Sequence, residues 1–190
     1  MEFLDERSRG AAETLIERKA PDLGLPLTEC ATTGPLDPCT LVIFGASGDL
    51  TARKVIPALY NLFVHDSLPS PFTILGCART SMSDEDFRAR VGSTFSQGAR
   101  RWEEFAAHLF YHTLEYNSGA SYGKLAERLH HLDSEYGAGR NRVFYLAVPP
   151  DLYPMLAEMI GRNGMGAEDG DGRGWVRIVV EKPFGRDLRT

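Results

Sequence analysis

The chain has little cysteine, no long apolar run and no excess of positive charge, and each shortage removes a class of function. Its three cysteines in 190 residues, Cys30, Cys39 and Cys77, are odd in number and lack both CxxC and metal-ligand spacing. Neither a disulfide framework nor a metal site is expected, and a reducing cytoplasm suits them. No apolar stretch approaches the ~20 residues that span a bilayer. A formal net charge of -5 gives no domain-wide positive field, which argues against nucleic acid and anionic membranes as partners. Met1 to Arg9 lacks the apolar stretch of a secretory signal, and Glu2, Asp5 and Glu6 are unlike an acid-poor transit peptide. What remains is the composition of an ordinary soluble domain, 43% hydrophobic and 25% charged, long enough to bury a core.

Residues 1–38 read as a flexible tail. Ala11 to Lys19 could wind into a short amphipathic helix through Leu15 and Ile16, but Pro21, Pro26, Pro35 and Pro38 interrupt any regular element after it. Six glycines among acidic residues between Gly161 and Gly174 predict an exposed loop. Elsewhere, from residue 39 to 190, the hydrophobic period alternates between strand and helix. Strands are expected at Thr40–Phe44, Phe72–Gly76, His112–Tyr116 (preceded by Phe110 and Tyr111), Val143–Val148 and Trp175–Val180. Helices are expected through Val55, Leu59, Leu62 and Phe63; through Phe87, Val91 and Phe95 after a cap at Ser83 and Asp86; and through Trp102, Phe105, Ala106 and Leu109. Two more run through Tyr122, Leu125, Leu129 and Leu132, and through Tyr153, Leu156 and Ile160. Such alternation implies parallel pairing through crossovers, hence an α/β, Rossmann-like, doubly wound and mostly parallel sheet with helices on both faces.

The run Gly45-Ala46-Ser47-Gly48-Asp49-Leu50-Thr51 lies between the first strand and its helix. Glycine permits the sharp turn this junction needs, and the helix's first N–H groups and positive dipole end suit a pyrophosphate. A glycine turn serving only strand-to-helix geometry is the alternative. A P-loop is excluded, because Gly48 is followed by Asp49 and Lys54 by Val55. The second strand leads into Arg79 with no carboxylate before Asp84. A guanidinium there matches an adenosine 2′-phosphate, and so NADP rather than NAD; a solvated surface arginine is the other reading.

Leu41 to Leu50, Gly76-Cys77-Ala78-Arg79, Phe144 to Pro150 and Glu181-Lys182-Pro183-Phe184-Gly185-Arg186-Asp187-Leu188 together resemble blocks of the glucose 6-phosphate dehydrogenases, in the family's order. The resemblance runs from about Thr40 onward. It implies an oxidoreductase converting glucose 6-phosphate to 6-phosphogluconolactone with NADP, in the oxidative pentose phosphate pathway, homo-oligomeric at full length. Gly45, Ala46, Ser47, Gly48, Asp49 and Leu50 would hold the pyrophosphate, and Arg79 the 2′-phosphate. Tyr145, Val148 and Pro149 would lie along the cofactor. Glu115 and Tyr116, a looser match, would contact its adenosine side, and Lys182 would sit between nicotinamide and sugar phosphate. Thr51 replaces a residue that is usually alanine in the family, a change expected to be tolerated.

Oxidising a sugar hemiacetal needs a base, and a histidine oriented by a carboxylate suits that task. In the resembled family this pair lies downstream of the Glu181–Leu188 block. His65, His108, His112, His130 and His131 fall outside the matched motifs, in helices or at strand starts, and read as surface or packing residues. No catalytic base is assigned, and the substrate domain is expected to be absent. By itself the 190-residue chain is expected to hold NADP weakly or not at all and to turn over no glucose 6-phosphate. A stand-alone NADP-binding module with a regulatory or vestigial role is the second hypothesis.

Overall fold

The computed structural model describes residues 36–95, 99–168 and 174–182. The expected helix over Ala11 to Lys19, the tail before position 36 and the block following Lys182 lie outside the described residues. Strands β1 (Cys39–Phe44), β2 (Phe72–Ala78), β3 (Leu109–Thr113), β4 (Arg142–Leu146) and β5 (Val176–Val180) form one sheet in the order β3-β2-β1-β4-β5. Every pairing is parallel.

Alternate strand residues point to opposite faces, and here both faces are covered. Val42, Phe44, Leu75, Phe110 and Phe144 pack with Tyr122, Leu125 and Leu129 of α4 (Gly119–Tyr136) and with Leu156 and Ile160 of α5 (Tyr153–Arg162). Facing the other way, Ile43, Ile74, Leu109 and Tyr111 meet α1 (Ile56–Val64), α2 (Asp84–Gly92) and α3 (Trp102–Ala106) through Ile56, Phe63, Phe87, Val91 and Phe105. Burying each large apolar side chain contributes roughly 1.5–3 kcal/mol, which is why continuous apolar strands settle between two helical layers. The doubly wound expectation holds. Strand order reverses between β1 and β4, the crevice where open α/β sheets take their ligands.

Local chemistry sets the helix ends. Ser83 Oγ accepts from Asp86 N at 3.1 Å while Ser83 N donates to Asp86 Oδ2 at 3.1 Å, so α2 opens with a full capping box. Helix α4 stops at Gly137, whose φ of +66° is left-handed. The segment before α1 is a π turn, Thr51–Val55, in which Ile56 N donates to Thr51 O. Pro57 supplies the reason: its ring lacks an N–H and crowds the carbonyl four residues back in a regular α-helix, and the wider turn relieves that crowding.

Several element ends differ from the sequence expectation. The helical period carries Leu109 with Trp102, but α3 ends at Ala106 and Leu109 opens β3 opposite Ile74. The third strand ends at Thr113 rather than Tyr116, because its partner among the described strands, β2, ends at Ala78, whose carbonyl takes the N–H of Leu114 at 2.9 Å. Helix α2 stops at Gly92, so Phe95 lies beyond it and packs on Tyr60 and Trp102 with ring centroids 4.8 and 4.9 Å away. The fourth strand covers Arg142–Leu146, leaving Val148 past its end. Gly161 belongs to α5, so the expected loop begins after Arg162, and Glu168 within it accepts from Val176 N at 3.0 Å. Residues 169–173 lie outside the described set.

The histidines follow the packing expectation, though His112 sits inside β3 rather than at a strand start. His108 stacks on Phe72 with centroids 4.3 Å apart and bonds the Phe72 carbonyl through Nδ1 at 3.0 Å. Burial holds both His108 and His112 below the ordinary histidine pKa. A folded-state pKa below the unfolded one leaves stability complete above about pH 6.5 and removes it as the pH falls through the depressed values. Melting temperature should therefore fall between pH 7.5 and 5, and His108→Gln should flatten part of that fall. An unchanged pH profile in the variant would show that His108 carries none of it.

Candidate functional site

At the carboxyl ends of β1, β2 and β4 lies a cleft of ≈ 200 Å³, lined by Gly45, Ser47, Gly48, Arg79, Thr80, Tyr116, Val148, Pro149 and Leu152 among others. Its floor is the turn leaving β1. Gly45 has φ +83°, and a Cβ there would stand 2.2 Å from the Ala147 carbonyl oxygen. The backbone of β1 thus passes against the end of β4 only because no side chain intervenes. Gly45 N and Ala46 N both donate to Cys77 O, at 2.9 and 3.2 Å, and Gly48 N donates to Gly45 O at 2.9 Å. Thr51 is fully buried, with its hydroxyl donating to Gly45 O at 3.3 Å, which fastens the turn to the π segment.

Tyr116 is the second support. Although it follows β3 instead of ending it, its side chain is buried, and its hydroxyl accepts from Gly45 N at 3.0 Å. Burial raises its phenol pKa, so it is neutral at physiological pH. Arg79, the residue immediately after β2, is exposed, with its guanidinium 5.9 Å from the Tyr116 ring centroid. A cation over an aromatic face is held by the ring's quadrupole and keeps its N–H donors at the cleft.

The predicted residues divide into three groups. Gly45, Ser47, Gly48, Arg79, Tyr116, Val148 and Pro149 come together around the cleft. Ala46 is buried beneath the turn, Asp49 and Leu50 are exposed where the helix begins, and Glu115 is exposed beside Tyr116. Tyr145 and Lys182 are not among the lining residues. The Tyr145 hydroxyl instead hydrogen-bonds the Glu181 carboxylate, and burial together with that carboxylate pushes its pKa up to about 12. Tyr153 Oη donates to Glu181 O at 3.4 Å, so the backbone that delivers the exposed Lys182 is held from two sides.

Sequence reasoning missed Thr80, Leu152 and Arg90. Thr80 is the residue after Arg79, and its hydroxyl reaches Ser47 Oγ at 3.4 Å. The capping box gave the phase of α2, yet the reach of Arg90 from that helix to the loop is a tertiary fact. A glycine floor that a Cβ would fill, an exposed guanidinium at the end of β2, and no carboxylate between Gly76 and Ser83 together fit a dinucleotide carrying a 2′-phosphate. Among the described residues, no group of His, Cys, Asp and Glu could hold a metal, and no helix is long and apolar enough to cross a membrane.

Comparison with known proteins identifies the family. The family described as "Glucose-6-phosphate dehydrogenase, NAD binding domain" matches residues 42–190. Glucose-6-phosphate 1-dehydrogenase of Aggregatibacter actinomycetemcomitans is 46% identical over 156 residues, covering 80% of this chain and 31% of the relative. The chloroplastic enzyme of Spinacia oleracea is 35% identical over 170 residues, 86% of this chain and 28% of the relative. Among solved structures, a glucose-6-phosphate dehydrogenase in complex with its substrate glucose-6-phosphate superposes with a TM-score of 0.71 at 32% identity, covering 80% of this chain and 32% of that one. Glucose-6-phosphate 1-dehydrogenase from Mycobacterium avium gives 0.65 at 26% identity, covering 82% and 31%. The chain thus spans about a third of the length of the relatives it matches.

Proposed function

Because the chain belongs to the glucose-6-phosphate dehydrogenase family, we propose that it is the NADP-binding part of an enzyme oxidising glucose 6-phosphate to 6-phosphogluconolactone. The observation that carries this is Arg79, set by the end of β2 against Tyr116 and beside the Gly45 turn. Gly45, Ser47 and Gly48 hold the pyrophosphate, with Ala46 packing the turn from below and Asp49 and Leu50 starting the helix. Arg79 pairs with the 2′-phosphate, Glu115 and Tyr116 border the adenosine, and Val148 and Pro149 form the opposite wall. When bound, NADP supplies the hydride acceptor.

Lys182, past the end of β5, donates from its ammonium to the sugar phosphate and offsets its charge. Glu181, held by Tyr145 and Tyr153, fixes the backbone that presents it, so Tyr145 serves the site through Glu181 and does not itself line the cleft. No proton-accepting residue is assigned among the described residues. The complete protein is read as a cytoplasmic homo-oligomer; Cys39 and Cys77, both free thiols, agree with a reducing compartment.

Nuclear magnetic resonance titration of the 190-residue chain tests the reading, since it detects even millimolar affinity. NADP should shift the Gly45, Ser47 and Gly48 amides. Arg79→Ala should weaken NADP by about tenfold to hundredfold, the worth of a charge-assisted contact, and leave NAD nearly unchanged. Equal losses for the two dinucleotides would remove Arg79 from the 2′-phosphate.

A further inference from the structure

Arg90 belongs to none of the roles above, yet it touches the turn on which they depend. It lies in the last turn of α2, and its Nη2 donates to the carbonyl of Ser47 at 2.7 Å. The next amide, Gly48 N, donates to Gly45 O at 2.9 Å. One peptide unit, Ser47–Gly48, is therefore pinned at both its oxygen and its nitrogen.

The sequence brings the arginine there through a glycine in the preceding strand, β2. A Cβ at Gly76 would stand 2.8 Å from both Ala46 Cβ and Phe87 Cζ. With no side chain at that position, Phe87 sinks fully into the core and draws α2 close against the β1 turn. Arg90 follows Phe87 by three residues, and the capping box fixes where the helix starts, so its long side chain ends at the loop.

We propose that Arg90 is a positioning residue of the phosphate loop. It holds the Ser47 carbonyl toward α2 and so sets the orientation of the Ser47–Gly48 peptide before any ligand arrives. The inference rests on reading the cleft as a dinucleotide site. It assigns Arg90 a task distinct from that of Arg79: a loop shared by both dinucleotides serves NAD and NADP alike, whereas a 2′-phosphate contact serves NADP alone.

The test uses amide spectra and dinucleotide titrations of the whole chain with Arg90→Ala and Arg90→Lys. In Arg90→Ala the Gly48 amide should move or broaden while the Leu129 and Leu132 amides of α4 stay in place. Dissociation constants for NADP and NAD should rise together, by about three- to tenfold, the range of one ordinary net hydrogen bond, since Arg90 acts on the loop and not on the ligand. Arg90→Lys, which keeps a charged donor, should restore most of both effects, as a merely structural role would not. Loss confined to NADP would mean that Arg90 grips the 2′-phosphate itself and would overturn the positioning role. So would an unmoved Gly48 amide. If the unsubstituted chain bound neither dinucleotide, the Gly48 amide alone would decide the role of Arg90.

Discussion

Replacing Gly45 with alanine should lower unfolding free energy by about 3 kcal/mol or more and abolish dinucleotide binding. Two effects add. A left-handed backbone costs an alanine roughly 1–2 kcal/mol, and Gly45 has φ +83°. The added Cβ would also stand 2.2 Å from the Ala147 oxygen and 3.0 Å from Val148 Cγ1. That oxygen is backbone, and the same residue's N–H is bonded to Phe44 O at 3.0 Å. Relief therefore requires β1 and β4 to part at the crevice. Gly48→Ala is the internal control: its φ is not left-handed, and its closest contact, 3.1 Å to Gly45 O, is relieved by a shift of about a few tenths of an ångström, so the loss should stay near about 1 kcal/mol. Chemical denaturation of both variants checks the contrast, and equal losses would show that the turn at Gly45 relaxes freely.

Asp133→Ala should be comparably damaging at the opposite end of the sheet, where no ligand is involved. Asp133 pairs with Arg142, and their side chains are only 13% and 8% exposed. The guanidinium also donates to Gly139 O at 2.9 Å and Asn141 O at 3.2 Å. Removing one partner of a buried pair leaves an uncompensated charge and typically costs about 3–5 kcal/mol. Replacing both, as Asp133→Leu with Arg142→Met, should recover much of that loss, because two apolar groups leave no charge behind. A single-variant loss under about 1 kcal/mol would mean that water reaches the guanidinium after all.

Much of this architecture was legible because its signals are local. Leu41 to Phe44 are apolar on successive residues, and so are Phe72 to Leu75 except at the buried Thr73, as suits strands buried on both faces. Gly45 and Arg79 were found by position alone, one leaving β1 and the other following β2. What was misread depends on neighbours. Tyr116 looked like strand because the pattern continues through it, whereas β3 stops where β2 gives out. Leu109 continues a helical period but its backbone is claimed by the ladder to Ile74. The reach of Arg90, the Tyr145–Glu181 bond and the Tyr116–Gly45 bond each join residues more than thirty positions apart, and no window along the chain contains them.

The π turn ahead of α1 carries a consequence for how the chain tolerates changes of length. A wider turn is equivalent to one surplus residue in an otherwise α-helical run. Shortening a helix by one residue ordinarily swings everything beyond it by about 100°, which would pull Ile56 and Phe63 out of the core. At the exposed positions Arg53 and Lys54 a deletion instead removes the surplus and keeps those residues in phase. It does so at the expense of Pro57, whose ring then meets the carbonyl that the wide turn had moved aside. Deletion and Pro57→Ala are thus paired changes: together they restore a plain helix, and each alone leaves the other's defect exposed.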